Sequence, residues 1–185
     1  NKKITLGIII LVVVLLIGYV VSTYNGLVTL NVNADTQWKQ VETNYQRRFD
    51  LIPNLVESVK GVMTQEKDVF AAIADARTKY SGATTVDERA KAAGQVESAL
   101  GRLLVITENY PQLKSSETVQ TLMSQLEGTE NRIGVARMRY NDAVKAYNLK
   151  VMRIPSSVVA SLTGFEAREY FEAAAGAENV PQVKF

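Results

Sequence analysis

The run from Ile4 to Val21 (ITLGIIILVVVLLIGYVV) carries no charge and is almost wholly apolar. Its length suffices to cross a bilayer as a helix, so everything after it is read as a domain tied to a membrane. A cleaved signal peptide also begins basic and turns apolar, but its apolar region is shorter and ends in a small-residue cleavage site. Here Ser22, Thr23, Tyr24 and Asn25 follow without an A-x-A pattern. Residues 1–23 therefore read as an uncleaved signal anchor, with 4–21 in the lipid and Tyr19 and Tyr24 suited to an interfacial aromatic belt. Lys2 and Lys3 precede the run and the next basic residue is Lys39. That bias predicts a cytoplasmic N-terminus and an extracytoplasmic bulk.

Setting aside Lys2 and Lys3, the 21 basic residues fall to 19 and balance the 19 acidic ones. A formally neutral outer domain with no basic stripe has no electrostatic footprint for nucleic acid. The chain contains no histidine and no cysteine. Serine triads, thiol nucleophiles and the His- and Cys-based zinc and di-iron sites are thereby excluded. Only four prolines and eleven glycines punctuate the sequence, which predicts long helices.

Alternate steps of three and four from Trp38 run through Val41, Tyr45, Arg48, Ile52, Leu55, Val59, Val62, Glu66, Val69, Ile73 and Ala76 to Tyr80, apolar in all but two steps. One long helix from about Asp35 to Tyr80 is expected. Similar seams run from Val86 to Tyr110 and from Val119 to Tyr147. Ser81-Gly82 reads as the first helix's C-terminal cap, and Thr85 with Glu88 as a capping box for the second. Tyr110-Pro111 ends the second helix, Ser115 or Ser116 caps the third, and Pro155 separates it from a fourth that Gly164 interrupts. Asp50 before Pro53 reads as the cap of a helix restart. The expected fold is all-α: a connector over 24–34, an antiparallel four-helix bundle with coiled-coil-like helices over 35–176, and an irregular tail over 177–185 carrying Val180, Val183 and Phe185.

The sequence resembles the LemA family of bacterial membrane proteins. The likeness rests on YNGLVTLN (Tyr24 to Asn31), RRFDLIPNLVESVKG (Arg47 to Gly61), ENYPQLKSS (Glu108 to Ser116), TENRIGVARMRYNDAVKAYN (Thr129 to Asn148), GFEAREYFEA (Gly164 to Ala173) and a terminal VKF. It covers nearly the whole chain. It implies a helical bundle on a membrane anchor, here in the bacterial inner membrane, with no established enzymatic activity, no cofactor, and no catalytic residues to carry over.

Arg48 and Glu66 fall on the apolar seam, where an unpartnered charge costs several kcal/mol, so each needs a partner. Glu130 is the candidate for Arg48. Glu57, Glu66, Glu127 and Glu130 form a carboxylate set that suits a hard cation, but Lys60, Arg132 and Arg137 interleave with them, and solvated ion pairs are the default reading. Catalytic, cofactor and metal sites are expected to be absent. The second helix, about 39 Å long, is too short to cover a first helix of about 69 Å. The uncovered stripe of Trp38, Val41, Tyr45 and Ile52 therefore reads as an interface with further copies of the chain. The leading expectation is a non-enzymatic extracytoplasmic scaffold or adaptor for envelope proteins, self-associating through that stripe. The alternatives are a sensor that binds a ligand through its outer bundle, disfavoured by the few residues before the span, and a cation-binding bundle.

Overall fold

The computed structural model describes residues 2–171. Among these the secondary structure is entirely helical: α1 (Lys2–Lys60), α2 (Lys67–Gly82), α3 (Val86–Thr107), α4 (Pro111–Lys114), α5 (Glu117–Met152) and α6 (Ser156–Thr163). Near its N-terminus α1 contains a stretch long and apolar enough, by length and composition, to cross a membrane. Residues 24–34, expected as a connector, are helical and belong to α1. The expected tail over 177–185, with Val180, Val183 and Phe185, lies outside the described residues.

The first seam is not one helix. It stops at Lys60, and Val62 and Met63 both return their N–H groups to the Val59 carbonyl, at 3.0 and 2.9 Å. Gly61, a poor helix former, begins the turn. The turn moves the inward face by one residue, so Met63 is fully buried while Val62 is exposed. Glu66 consequently sits at the N-cap of α2, half-exposed, and not on a continuous buried seam. Pro53, in contrast, lies inside α1, and Asp50 accepts a hydrogen bond from Gln46 at 2.8 Å without starting a new helix.

Boundary residues explain the other ends. Thr85 and Glu88 form a complete capping box at α3, and the backbone N–H groups of Thr84 and Thr85 hold the Glu88 carboxyl below the usual carboxylate range. Gly82 lies within the last turn of α2, with extended Ala83 as its cap. Ser116 Oγ accepts from the Val119 N–H at the start of α5. The fourth helix is shorter than expected. Gly164 adopts φ 76°, and the Phe165 N–H reaches back to the Ala160 carbonyl at 3.0 Å, a left-handed cap that ends α6 after eight residues.

The described residues divide into two compact units, 2–38 with 139–168, and 39–138 with 169–171. In the first, α1 and α5 run antiparallel: Trp38 meets Tyr140 with ring centroids 5.2 Å apart, and Leu27 packs in a cluster with Val151, Val159, Ala160 and Phe165. The segment after α6 lies along α5. Asn148 pairs its amide with the backbone of Arg168 in both directions, at 2.8 and 2.9 Å, and Tyr147 donates to the Glu166 carbonyl at 2.9 Å. Arg168 in turn donates to the backbone and side chain of Asn31 and pairs with Asp35. In the second unit α2 and α3 pack together along their length.

No atom lies within 4 Å of where a Cβ would stand at Gly164, so a substitution there meets backbone strain alone. Gly164→Ala is expected to destabilise the protein by about 1 kcal/mol, and Gly164→Asn by less, because asparagine tolerates the left-handed region better. Unfolding midpoints in mild detergent check the order.

Candidate functional site

Within the second unit, α1, α2, α3 and α5 bring charged and aromatic side chains to one place. On α1, Tyr45 and Arg48 sit three residues apart and so share a face. Both are buried, Arg48 to within 3 % of full burial. From α5, Thr129 and Glu130 meet Arg48: its Nε donates to Thr129 Oγ1 at 3.2 Å and its Nη2 pairs with the Glu130 carboxylate. From α3, Glu97 lies 3.6 Å from Arg48 Nη1. Arg137, further along α5, donates to both Glu97 and the Tyr45 hydroxyl, and Tyr45 donates to Glu97 at 3.2 Å.

Aromatic rings close the cluster. Tyr80 of α2 packs on Tyr45 and edge-on against Phe49, at 5.2 and 4.7 Å between centroids. The Arg137 guanidinium lies over the rings of Tyr45 and Phe171, 5.4 and 4.7 Å from their centroids, an arrangement stabilised by cation–π attraction. Burial pushes the Tyr45 phenol up, Glu97 pushes it further, and Arg137 only partly offsets them. Burial likewise pushes Tyr80 up to about 12, against a smaller opposing effect of Arg137. For Arg137 burial acts downward, but Tyr45 and Glu97 outweigh it, and the net shift is upward.

The arrangement binds and orients. Two guanidinium groups are matched by two carboxylates, and the one phenol among the hydrogen bonds is held protonated. Two guanidinium donors are buried without a hydrogen-bond partner among the described residues: Arg137 Nε, and Arg48 Nη1, which has only the ion pair with Glu97 at 3.6 Å. Arg48 lines a groove of about 590 Å³ walled also by Leu100 and Leu104 of α3 and Met123 and Leu126 of α5.

The expected site residues therefore part company. Arg48 and Glu130 are brought together, while Glu66, carried off the seam by the Gly61 turn, is not. The stripe of Trp38, Val41, Tyr45 and Ile52 is not an exposed interface. Val41, Tyr45 and Ile52 are buried within the single chain, and Trp38 is half-buried beside Tyr140. The expectation of exposure compared α1 with its short neighbour; α5, about 54 Å long at 36 residues, meets Trp38 through Tyr140 and Tyr45 through Arg137, and Tyr80 of α2 packs on Tyr45 as well. Among the described residues no three of the acidic side chains gather as a metal site, and Glu57 and Glu127 are exposed. Arg137, read from its spacing as a solvated ion-pair partner, is mostly buried. It falls seven residues after Glu130, a heptad spacing that places both on one face. Glu97 carried no comparable signal beyond its position next to buried Val96.

Residues 37–185 match the sequence model of the LemA family. Magnetosome proteins MamQ 1 and MamQ 2 of Paramagnetospirillum magneticum (strain ATCC 700264 / AMB-1) are each 29 % identical to the chain over 189 residues, covering 88 % of it and 70 % of theirs. Magnetosome protein MamQ of Magnetospirillum gryphiswaldense is 28 % identical over 195 residues, covering 91 % and 72 %.

Two outcomes follow from the geometry. Glu130→Leu strands a buried guanidinium and is expected to cost about 3 kcal/mol, whereas Arg48→Met frees a half-exposed carboxylate to turn to water and costs about 1 kcal/mol. Additive losses in the double variant, measured by denaturant unfolding in detergent, would show that the two residues are not coupled. The second outcome is alkaline. Folded Tyr80 holds its proton more tightly than the unfolded chain does, so its contribution to stability is full below pH 10 and is lost as pH rises towards about 12. Its hydroxyl lacks a hydrogen-bond partner among the described residues. Tyr80→Phe should therefore raise stability at neutral pH by about 1 kcal/mol and reduce the loss seen in an alkaline unfolding titration.

Proposed function

The chain belongs to the LemA family, and from that premise we propose that it is a non-enzymatic, membrane-anchored helical protein that serves as a scaffold or adaptor for envelope membrane proteins. In this reading Ile4 to Val21 cross the bacterial inner membrane with the N-terminus in the cytoplasm. The distal part of α1 together with α2, α3 and α5 forms an extracytoplasmic antiparallel four-helix bundle. The observation that carries the proposal is the Arg48, Glu97, Glu130 and Arg137 cluster. Its charges are spent on one another across three helices, an arrangement that fixes helix register and presents no nucleophile or base to a substrate. Self-association was expected from the stripe of Trp38, Val41, Tyr45 and Ile52; with those residues inside one chain, the scaffold role leans on no second copy.

A second reading, a sensor or regulator that binds a ligand through the outer helices, is favoured by the groove beside Arg48, whose Nη1 pairs with Glu97 but makes no hydrogen bond among the described residues. Such a ligand would offer an apolar body and a hydrogen-bond acceptor.

Protease added to intact spheroplasts is expected to trim the chain to its membrane stub, and protection of the large domain would overturn the outward orientation. Capture of the cross-linked protein from membranes is expected to bring envelope membrane proteins with it in fixed ratio. Recovery alone, with a small molecule retained and lost on Leu104→Trp, would favour the sensor.

A further inference from the structure

Outside the span, the two most exposed large apolar side chains in the described residues are Ile154, in the turn after α5, and Leu162 of α6. Ile154 is 86 % exposed and Leu162 82 %, more than any side chain of the span itself, and Met152 and Val158 are 61 % and 58 % exposed. Ile154, Val158 and Leu162 are spaced by four residues, so the turn residue Ile154 leads into one exposed stripe. Val159 and Ala160 face the other way and are buried against Leu27. Helix α6 therefore has two apolar faces, and its own unit covers one.

The height of that uncovered face follows from the register within the first unit. Leu27 lies six residues beyond Val21, about 9 Å along the helix. The headgroup layer on each side of a bilayer is about 5–8 Å deep, so the Leu27 level lies at its outer boundary. Because α5 runs antiparallel to α1 and reaches that level at Val151, the chain that continues through Met152, Arg153 and Ile154 heads toward the span. The Lys150 side chain lies over Gly26, its Cε 3.8 Å from where a Cβ would stand. Tyr24 packs on Phe165 at the same end, with ring centroids 5.8 Å apart. A stripe of exposed isoleucine, valine and leucine at this depth, with Lys150 and Arg153 beside it, has the apolar face and basic neighbours of a helix lying in the bilayer interface.

The geometry points to a second membrane contact: the turn after α5 and helix α6 lie in the headgroup layer beside the span, with Ile154, Val158 and Leu162 inserted toward the acyl chains. This inference rests on the reading of Ile4 to Val21 as a transmembrane segment and adds a monotopic element to it. The occupant of the exposed stripe is lipid because the stripe continues the lipid-facing surface of the span in the same unit.

The chain contains no cysteine, so single-cysteine labelling tests the inference on the full-length protein. Variants Ile154→Cys, Leu162→Cys, Val12→Cys and Asn33→Cys, each carrying a bimane label, are reconstituted into phosphatidylcholine–phosphatidylglycerol vesicles. Nitroxide lipids labelled either near the carbonyl or deep in the acyl chain serve as quenchers. Labels at 154 and 162 should lose fluorescence more to the shallow nitroxide, the label at 12 more to the deep one, and the label at 33 to neither. Quenching at 12 with water-like, unquenched emission at 154 and 162 would overturn the inference and leave the span intact. No quenching at 12 would remove the span reading itself, and the inference with it. Energy transfer between labels at 154 that survives dilution in lipid, without quenching, would assign the stripe to a second copy and overturn it as well. A further variant guards against local unfolding: Ile154→Ser with Leu162→Ser keeps Val159 and Ala160 buried and should reduce shallow quenching of a label at Val158→Cys.

Discussion

A guanidinium removed from water must find acceptors or neutralising charge, and the interior around Arg48 is organised by that requirement. Left alone, a buried charge would cost several kcal/mol, comparable to much of the stability of a small domain. The chain meets the demand from two other helices, with Thr129 and Glu130 on α5 and Glu97 on α3. Each contact constrains both rotation and axial position, since a helix turned by one residue would present a different side chain. Apolar packing of Ile52, Leu103 and Ile133 supplies burial without comparable direction, because such contacts tolerate sliding. The polar cluster selects one alignment among several that would bury similar area.

Glu97 occupies a pivotal position in that alignment. It lies near Arg48, pairs with Arg137 and accepts from Tyr45, so one carboxylate serves two cations and a phenol. Arg137 in turn lies over the rings of both Tyr45 and Phe171. Substituting lysine for either arginine would keep the charge but lose the planar, many-donor geometry these contacts use.

Helix content, the apolar span, the Thr85 box and the proximity of Arg48 to Glu130 were all legible in the sequence, because each depends on local spacing or on one heptad seam. The break after Lys60 was not. The apolar pattern resumes in phase at Val69, Ile73 and Ala76, so periodicity alone hides a turn in which Met63 replaces Val62 as the inward residue. The exposed stripe was misjudged for a related reason. Comparing lengths of sequence neighbours omits a helix that is distant in sequence, and α5 is the longer cover. Gly164 was visible as an interruption, but whether a glycine bends a helix or caps it depends on φ, which a sequence does not state. The paired hydrogen bonds between Asn148 and Arg168, and those from Arg168 to Asn31, join residues far apart in the chain and leave no periodic trace.

The antiparallel match of α1 and α5 in the first unit, with Trp38 against Tyr140 and Leu27 beside Val151, spans the same number of residues on both strands of the pair. The two lengths are therefore arithmetically bound. Inserting one residue between Tyr140 and Val151 would rotate everything downstream by about 100° and shift it by about 1.5 Å, turning Tyr147 and Asn148 away from their partners. The two facing helices can therefore change length without losing these partners only if both change together.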